Sequence, residues 1–167
     1  EEYGWDIITR FMQLLERDGV SYFLYNADST PQPEGGPSAW GAAAFISAID
    51  EGLAGINDTG VNYDELFFAP KFPVTPYTEL RYITGYEVSG AMVDMRYILT
   101  DEGMRYDVYS PAKKIKAHIL LPKGKECKEL IVNGHKNSFE IEHIEKSSYV
   151  NFEVSSEKKM SFEIAFN

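Results

Sequence analysis

The sequence predicts an α+β protein: an N-terminal helical hairpin followed by an antiparallel β-sandwich. Three observations carry this expectation. Apolar residues recur at helical spacing in the first third of the chain and at every second position from Asp64 onward. Charge divides the chain at the same place. Residues 1–60 hold two basic and ten acidic residues and no Lys, net −8, whereas residues 61–167 hold 14 basic and 16 acidic residues, net −2. Finally, eight or so short alternating segments with turn residues between them are the pattern of a sandwich. The change falls at Asp58-Thr59-Gly60, which is good turn chemistry. The expected units are therefore 1–60, the hairpin, and 61–167, the sandwich.

The first helix is read from Trp5, Ile8, Phe11, Met12 and Leu15, an amphipathic stripe from about Tyr3 to Arg17 that Asp18-Gly19 ends. Val20 to Tyr25 is apolar and aromatic, a short extended piece. A loop with Pro31, Pro33, Gly35, Gly36 and Pro37 follows, and Ser38 is a good N-cap for a second helix over about 39–54. That helix has no charged residue before Asp50 and Glu51. An exposed helix needs a polar face, so this one calls for cover from other protein. Gly41, Ala44, Ala48, Gly52 and Gly55 leave room for close approach by neighbouring helices. One hairpin cannot supply that cover. It must come from helices outside this chain or from a second copy in a homo-oligomer. Strands are expected at Leu66–Phe68, Glu79–Val88, Val93–Leu99, Met104–Val108, Ile115–Leu121 and Leu130–Val132. Phe139 and Ile141 are expected to pair with Val150, Phe152 and Val154, and Met160–Phe166 closes the fold. Lys71–Pro76 is Pro-broken, an edge or a crossover. Thr100–Gly103 and Asn133-Gly134 are hairpin turns.

Composition bounds the function. A chain of 167 residues with 44% apolar and 25% charged residues can bury a real core. A net charge of −10 argues against a nucleic-acid partner. No stretch approaches the roughly 20 apolar residues of a membrane span, so no membrane partner is expected. The single Cys127 excludes an internal disulfide and any multi-cysteine metal site. In Glu140-Ile-Glu-His143 alternation sets the two Glu on one face and the His on the other, so neither a metal nor a cofactor is expected. Aromatic residues make up 14% of the chain, which suits a β-rich core or sugar-stacking surfaces.

The candidate site is the loop before the second helix. Glu34 lies there between Pro33 and Gly35, and a carboxylate in a cleft is the group that does general acid/base work. A solvated loop Glu is the plainer account of it. Asp28, beside Ser29 and Thr30, is either a polar contact for a ligand or an Asx-turn residue. Trp40 opens the helix beneath the loop, and Tyr22 and Tyr25 enter from the other side. Aromatic faces stack on the apolar C–H faces of sugars, so the cluster points to carbohydrate, with core packing as the alternative, above all for Tyr22. Asp50 and Glu51 are expected where the helix meets solvent, or as partners of Arg10 or Arg17.

The residues Glu34-Gly-Gly-Pro-Ser-Ala-Trp-Gly-Ala-Ala-Ala-Phe, then Glu51-Gly-Leu-Ala-Gly-Ile, then Leu66-Phe-Phe-Ala-Pro-Lys-Phe-Pro resemble the end of the six-hairpin, (α/α)6-barrel glycoside hydrolases, including the α-L-rhamnosidase type. So do Ile115-Lys-Ala-His-Ile-Leu-Leu-Pro-Lys-Gly and Leu130-Ile-Val-Asn-Gly. In that family a Gly/Ser/Trp loop opens the last barrel helix, and a strand and a C-terminal β-sandwich follow. The rhamnosidase type often has His-Gly-Trp where this chain has Ser38-Ala39-Trp40, so the Trp alone carries over.

The resemblance implies that 1–60 is the last barrel hairpin and 61–167 the appended sandwich, in the C-terminal part of a bacterial glycoside hydrolase acting on polysaccharide or oligosaccharide. Together with the residue reading above, Glu34 is then the expected catalytic carboxylate and Tyr25, Asp28 and Trp40 the expected substrate contacts, and the resemblance implies carbohydrate and the remainder of a parent chain as partners. It also implies a periplasmic or secreted setting. The chain alone is then expected to be inactive and the sandwich mainly structural. The alternative is a non-catalytic carbohydrate-binding or structural module, marked by an exposed row of Tyr82, Tyr97, Tyr106 or Tyr109. Alternation turns most of these inward.

Overall fold

The computed structural model describes residues 2–167. Its first helix, α1 (Glu2–Asp18), fills the expected stretch and closes at Gly19, whose positive φ lets its amide reach back to the Leu15 carbonyl at 2.9 Å. Helix α2 (Ala39–Ser47) starts at Ser38, whose hydroxyl accepts from the Gly41 amide at 3.1 Å. The expected α-helix to residue 54 is instead an α-helix to Ser47 and a wider π-turn over Ala48–Leu53. Two helices and then two packed sheets make the α+β architecture.

The strands are β1 (Ile56–Asp58), β2 (Glu65–Phe68), β3 (Glu79–Tyr86), β4 (Ala91–Leu99), β5 (Gly103–Tyr109), β6 (Lys114–Leu120), β7 (Cys127–Val132), β8 (His135–Asn137), β9 (Glu140–Ile144), β10 (Ser147–Ser155) and β11 (Lys159–Phe166). One sheet has the order β1-β2-β6-β10-β9, the other β3-β4-β5-β11-β7-β8. Two expectations need correction. The first sheet is mixed, because β2 runs parallel to β6, a pairing that alternation cannot foresee. Phe139 lies outside the strands, and Phe152 and Val154 face Ala117 and Ile115 of β6, leaving Ile141 opposite Val150. The Pro-broken stretch after Lys71 forms a 3-10 turn, Phe72–Val74.

Alternation places one face of each sheet in a common core. Phe68, Ile115, Ala117, Ile119 and Val150 come from the first sheet, and Val93, Met95, Tyr97, Tyr106, Phe162 and Ile164 from the second. Rings lock the layers together. Phe68 meets Tyr106 edge-on at 5.5 Å and Phe162 at 5.9 Å, and Phe72 lies 5.4 Å from Tyr97. The second sheet's outer face carries cross-strand ion pairs, Arg81 with Asp94 and Arg96 with Glu79, as a solvated face should.

Two of the segments that carry the family resemblance, 51–56 and 66–73, form the joint between helices and sandwich. Leu53, Ala54 and Ile56 are buried, and so are Leu66, Phe68, Ala69 and Phe72. Gly55 has φ +63°, and a Cβ there would sit 2.0 Å from the Ala69 carbonyl carbon. That close approach lets the Ala69 amide donate to the Gly55 carbonyl at 2.8 Å. Lys71 Nζ donates to the Gly52 carbonyl at 3.1 Å, satisfying a group the π-turn leaves over. The joint thus fixes α2 against the sandwich at its C-terminal end.

Candidate functional site

The loop between the helices is held by its own backbone. Tyr22 bridges Pro37 and Tyr25 bridges Pro31. The Phe23 amide donates to the Gly36 carbonyl at 3.1 Å and the Gln32 amide to the Leu24 carbonyl at 3.0 Å. This double clasp explains the Pro/Gly content. Pro supplies strand-edge positions that need no donor, and Gly35 lies so close that a Cβ on it would come 3.3 Å from the Phe23 Cβ. At the foot of the loop the Ser38 amide donates to the Ser21 carbonyl at 2.7 Å. A Cβ on Gly41 would fall 2.1 Å from Ser21 Oγ, so the small residue seats α2 under the loop.

Glu34 sits in a 3-10 turn, Pro33–Gly35, with its side chain exposed. Asp28 holds the loop tip. Its Oδ1 accepts from the Thr30 amide at 3.0 Å and from the Thr30 hydroxyl at 2.6 Å, and these bonds hold its carboxyl below the usual range. The Asx-turn account of Asp28 therefore applies. The Tyr25 hydroxyl accepts from the Tyr22 amide at 3.2 Å, and the two rings meet edge-on at 6.0 Å. Trp40 packs on Phe23 at 5.7 Å between ring centres and is still 75% exposed. It belongs to no core in this chain. Tyr25 and Tyr22 are thus joined to each other, and Trp40 is joined to Phe23.

Helix α2 has no buried residue, although its sequence is apolar throughout. Trp40 and Ile46 (58%) stand open, and Phe23 (50%) and Leu24 (47%) extend the apolar surface along the loop. α1 touches α2 at Phe11–Phe45, 5.4 Å between rings, and covers little else of it. Among the described residues α2 therefore stays open to solvent along most of its length.

Asp50 pairs with neither Arg10 nor Arg17, which bond Asp6 and Asp18. It accepts from the Tyr82 hydroxyl instead. Burial, and then the bond to Asp50, push the Tyr82 phenol well above its ordinary range. Most of the four tyrosines whose exposure would mark a binding face are turned inward, as alternation predicts, and of the four Tyr109 alone is exposed, at 43%. Tyr97 and Tyr106 are in the core, Tyr82 is half-buried against Asp50, and Tyr109 lies under Lys158 at 5.3 Å. Among the described residues no group of three or more His, Cys, Asp or Glu is placed to hold a metal ion, and no helix is long and apolar enough to cross a membrane.

A second polar cluster escaped the sequence reading. His118, Glu142 and Asn151 come together on the outer face of the first sheet, from three strands whose register no local pattern announces.

No family model and no curated protein sequence matches the chain. Solved structures do. An α-L-rhamnosidase from Dictyoglumus thermophilum matches 73% of this chain with a TM-score of 0.52 at 16% identity. An α-L-rhamnosidase from Streptomyces avermitilis, solved with L-rhamnose, covers 79% of it with a TM-score of 0.45 at 17% identity. The chain spans 14% and 12% of those two chains. At such identity the first match shows a shared fold.

Proposed function

We propose that this chain is the C-terminal part of a bacterial glycoside hydrolase of the α-L-rhamnosidase kind, periplasmic or secreted, with residues 1–60 the last hairpin of an (α/α)6 barrel and residues 61–167 its sandwich. The observation that carries the reading is α2. A charge-free helix, small along one side and open to solvent, is seated by a tight joint on a sandwich, as one wall of a larger helical barrel would be. The fold likeness to the Dictyoglumus thermophilum enzyme supports it.

The clasped loop then lines the sugar cleft. Trp40 offers an exposed ring on which a sugar's C–H face stacks. Tyr25 and Asp28 keep the loop in one shape and contribute polar edges. Glu34, exposed at the loop's turn, is the candidate carboxylate for general acid/base work once the other barrel walls exclude water from it. The remaining catalytic groups come from the other hairpins, so the 167 residues alone do not catalyse.

The test is hydrolysis of an aryl α-L-rhamnoside by a polypeptide carrying the barrel and this segment. Trp40→Ala is expected to raise KM about tenfold or more, roughly one stacking contact's worth of binding. Glu34→Gln is expected to lower kcat by about 10²-fold or more. Unchanged kinetics in both variants would remove the loop from the site. Turnover by the 167-residue chain alone would refute the division of labour.

A further inference from the structure

We propose that the outer face of the first sheet holds a separate, non-catalytic binding site for a neutral oligosaccharide, in a groove of about 800 Å3 built on Phe67, Lys116, His118, Phe139, Glu142 and Asn151. It shares no residue with the Tyr22–Trp40 loop and does not depend on the catalytic reading.

The groove follows from register. Ile115, Ala117 and Ile119 of β6 point into the core, so Lys116 and His118 between them point out. β10 sets Asn151 opposite His118, β9 sets Glu140 opposite Asn151, and β2 sets Phe67 beside Lys116. Phe139, next to the start of β9, adds a second apolar patch.

The polar floor is fixed in advance. His118 Nδ1 donates to Asn151 Oδ1 at 2.6 Å, and Asn151 Nδ2 donates to Glu142 Oε2 at 2.8 Å. The His118 ring lies flat on Tyr149, 4.0 Å and 12° apart, and near-parallel to Phe67 at 6.2 Å. Rotamer freedom that a ligand would otherwise have to freeze is already spent. These bonds do not exhaust the row. Asn151 keeps one N–H and one lone pair, and Glu142 keeps most of its acceptor sites. Lys116 forms no ion pair among the described residues, whereas Glu153 beside it is taken by Lys114 at 2.8 Å.

A polar floor of alternating donors and acceptors between two apolar patches matches one ligand chemistry, a chain of hydroxyl-bearing rings. A planar amide and a planar carboxylate each span two neighbouring hydroxyls, and Phe67 and Phe139 meet C–H surfaces. Charge selects among glycans. The groove's carboxylates outnumber Lys116, and the whole chain is at −10, so polyanionic sugars are repelled. The volume is at the upper end of ligand sites, roughly 300–1,000 Å3, which fits several sugar units rather than one.

The test is an NMR titration of the 167-residue chain with L-rhamnose, cellohexaose, xylohexaose and arabinohexaose, with polygalacturonate as the anionic probe. At least one neutral hexasaccharide is expected to shift the amides of Lys116, His118, Glu142 and Asn151. Asn151→Ala is expected to weaken that binding tenfold or more. Glu142→Gln, which keeps the shape of the side chain, is expected to weaken it severalfold. Arg81→Ala, on the outer face of the other sheet, should leave it unchanged. No groove shift with any neutral hexasaccharide, shifts confined to the Tyr22–Trp40 loop, or tighter binding of polygalacturonate would each overturn the proposal. None of these results bears on hydrolysis by the barrel-containing polypeptide, so the two readings fail separately.

Discussion

Two core tyrosines show how the interior is balanced. Tyr97 and Tyr106 are fully buried with ring centres 5.1 Å apart, and neither hydroxyl finds a hydrogen-bond partner among the described residues. Burial pushes both phenols far above their ordinary range. An unsatisfied buried hydroxyl costs about 1–3 kcal/mol, while the ring it sits on is what fills the core. Tyr106→Phe and Tyr97→Phe are therefore expected to leave stability unchanged or raise it by about 1 kcal/mol, read from the denaturant midpoint. A loss of similar size in either variant would mean that its hydroxyl is satisfied after all. The residue scale also shows what could be read in advance. Ser38 as N-cap and Asp28 as a turn former follow from their chemistry and neighbours within three residues. Trp40 could be called apolar but not covered or uncovered, because its cover depends on atoms far along the chain or outside it. Tyr82 and Asp50 are 32 positions apart, and nothing local announces their bond.

Among the elements, the joint between α2 and the sandwich matters most. Gly55 at φ +63° leaves no space for a side chain against the Ala69 backbone, which itself belongs to a buried segment. Gly55→Ala must strain the backbone and push the joint open at once. The expected cost is roughly 2–4 kcal/mol in a chemical-denaturation curve, with the sandwich itself keeping its spectrum. A loss below about 0.5 kcal/mol would show that the joint is not tight. The strands of the second sheet were legible because clean period-two runs and turn residues coincide, as at Val93–Leu99, Thr100–Gly103 and Met104–Val108. The first sheet was less so. β2 joins β6 in parallel across more than 40 residues of intervening chain, and such a pairing leaves no signature in either strand. The groove on that sheet was illegible for the same reason. Alternation turns His118 outward along β6 and sets Glu140 and Glu142 on one face of β9, but only the register brings them to Asn151.

The whole molecule is a sandwich of two packed sheets that carries two helices, the second open to solvent. Its stability against base should report the core directly. Tyr82, Tyr97 and Tyr106 all have folded pKa values raised above the ordinary value near 10, chiefly by burial. A raised folded value means that the unfolded chain loses its protons first. The stability from keeping these phenols neutral is whole below about pH 10 and is lost as pH rises beyond it. Thermal midpoints are expected to fall steeply above about pH 10, together with the absorbance of the buried phenolates appearing in one cooperative step. Gradual, independent titration of all the tyrosines would contradict the packing described. At the same scale, α2 separates the two ways its apolar surface can be covered. The most direct measurement is amide hydrogen exchange across Ala42–Ile46, in the 167-residue chain and in a longer polypeptide that carries the proposed barrel helices as well. Those amides are expected to exchange rapidly in the short chain at every protein concentration, and to be strongly protected in the long one. Protection already present in the short chain, or equally fast exchange in both, would contradict the reading of α2 as one wall of a barrel.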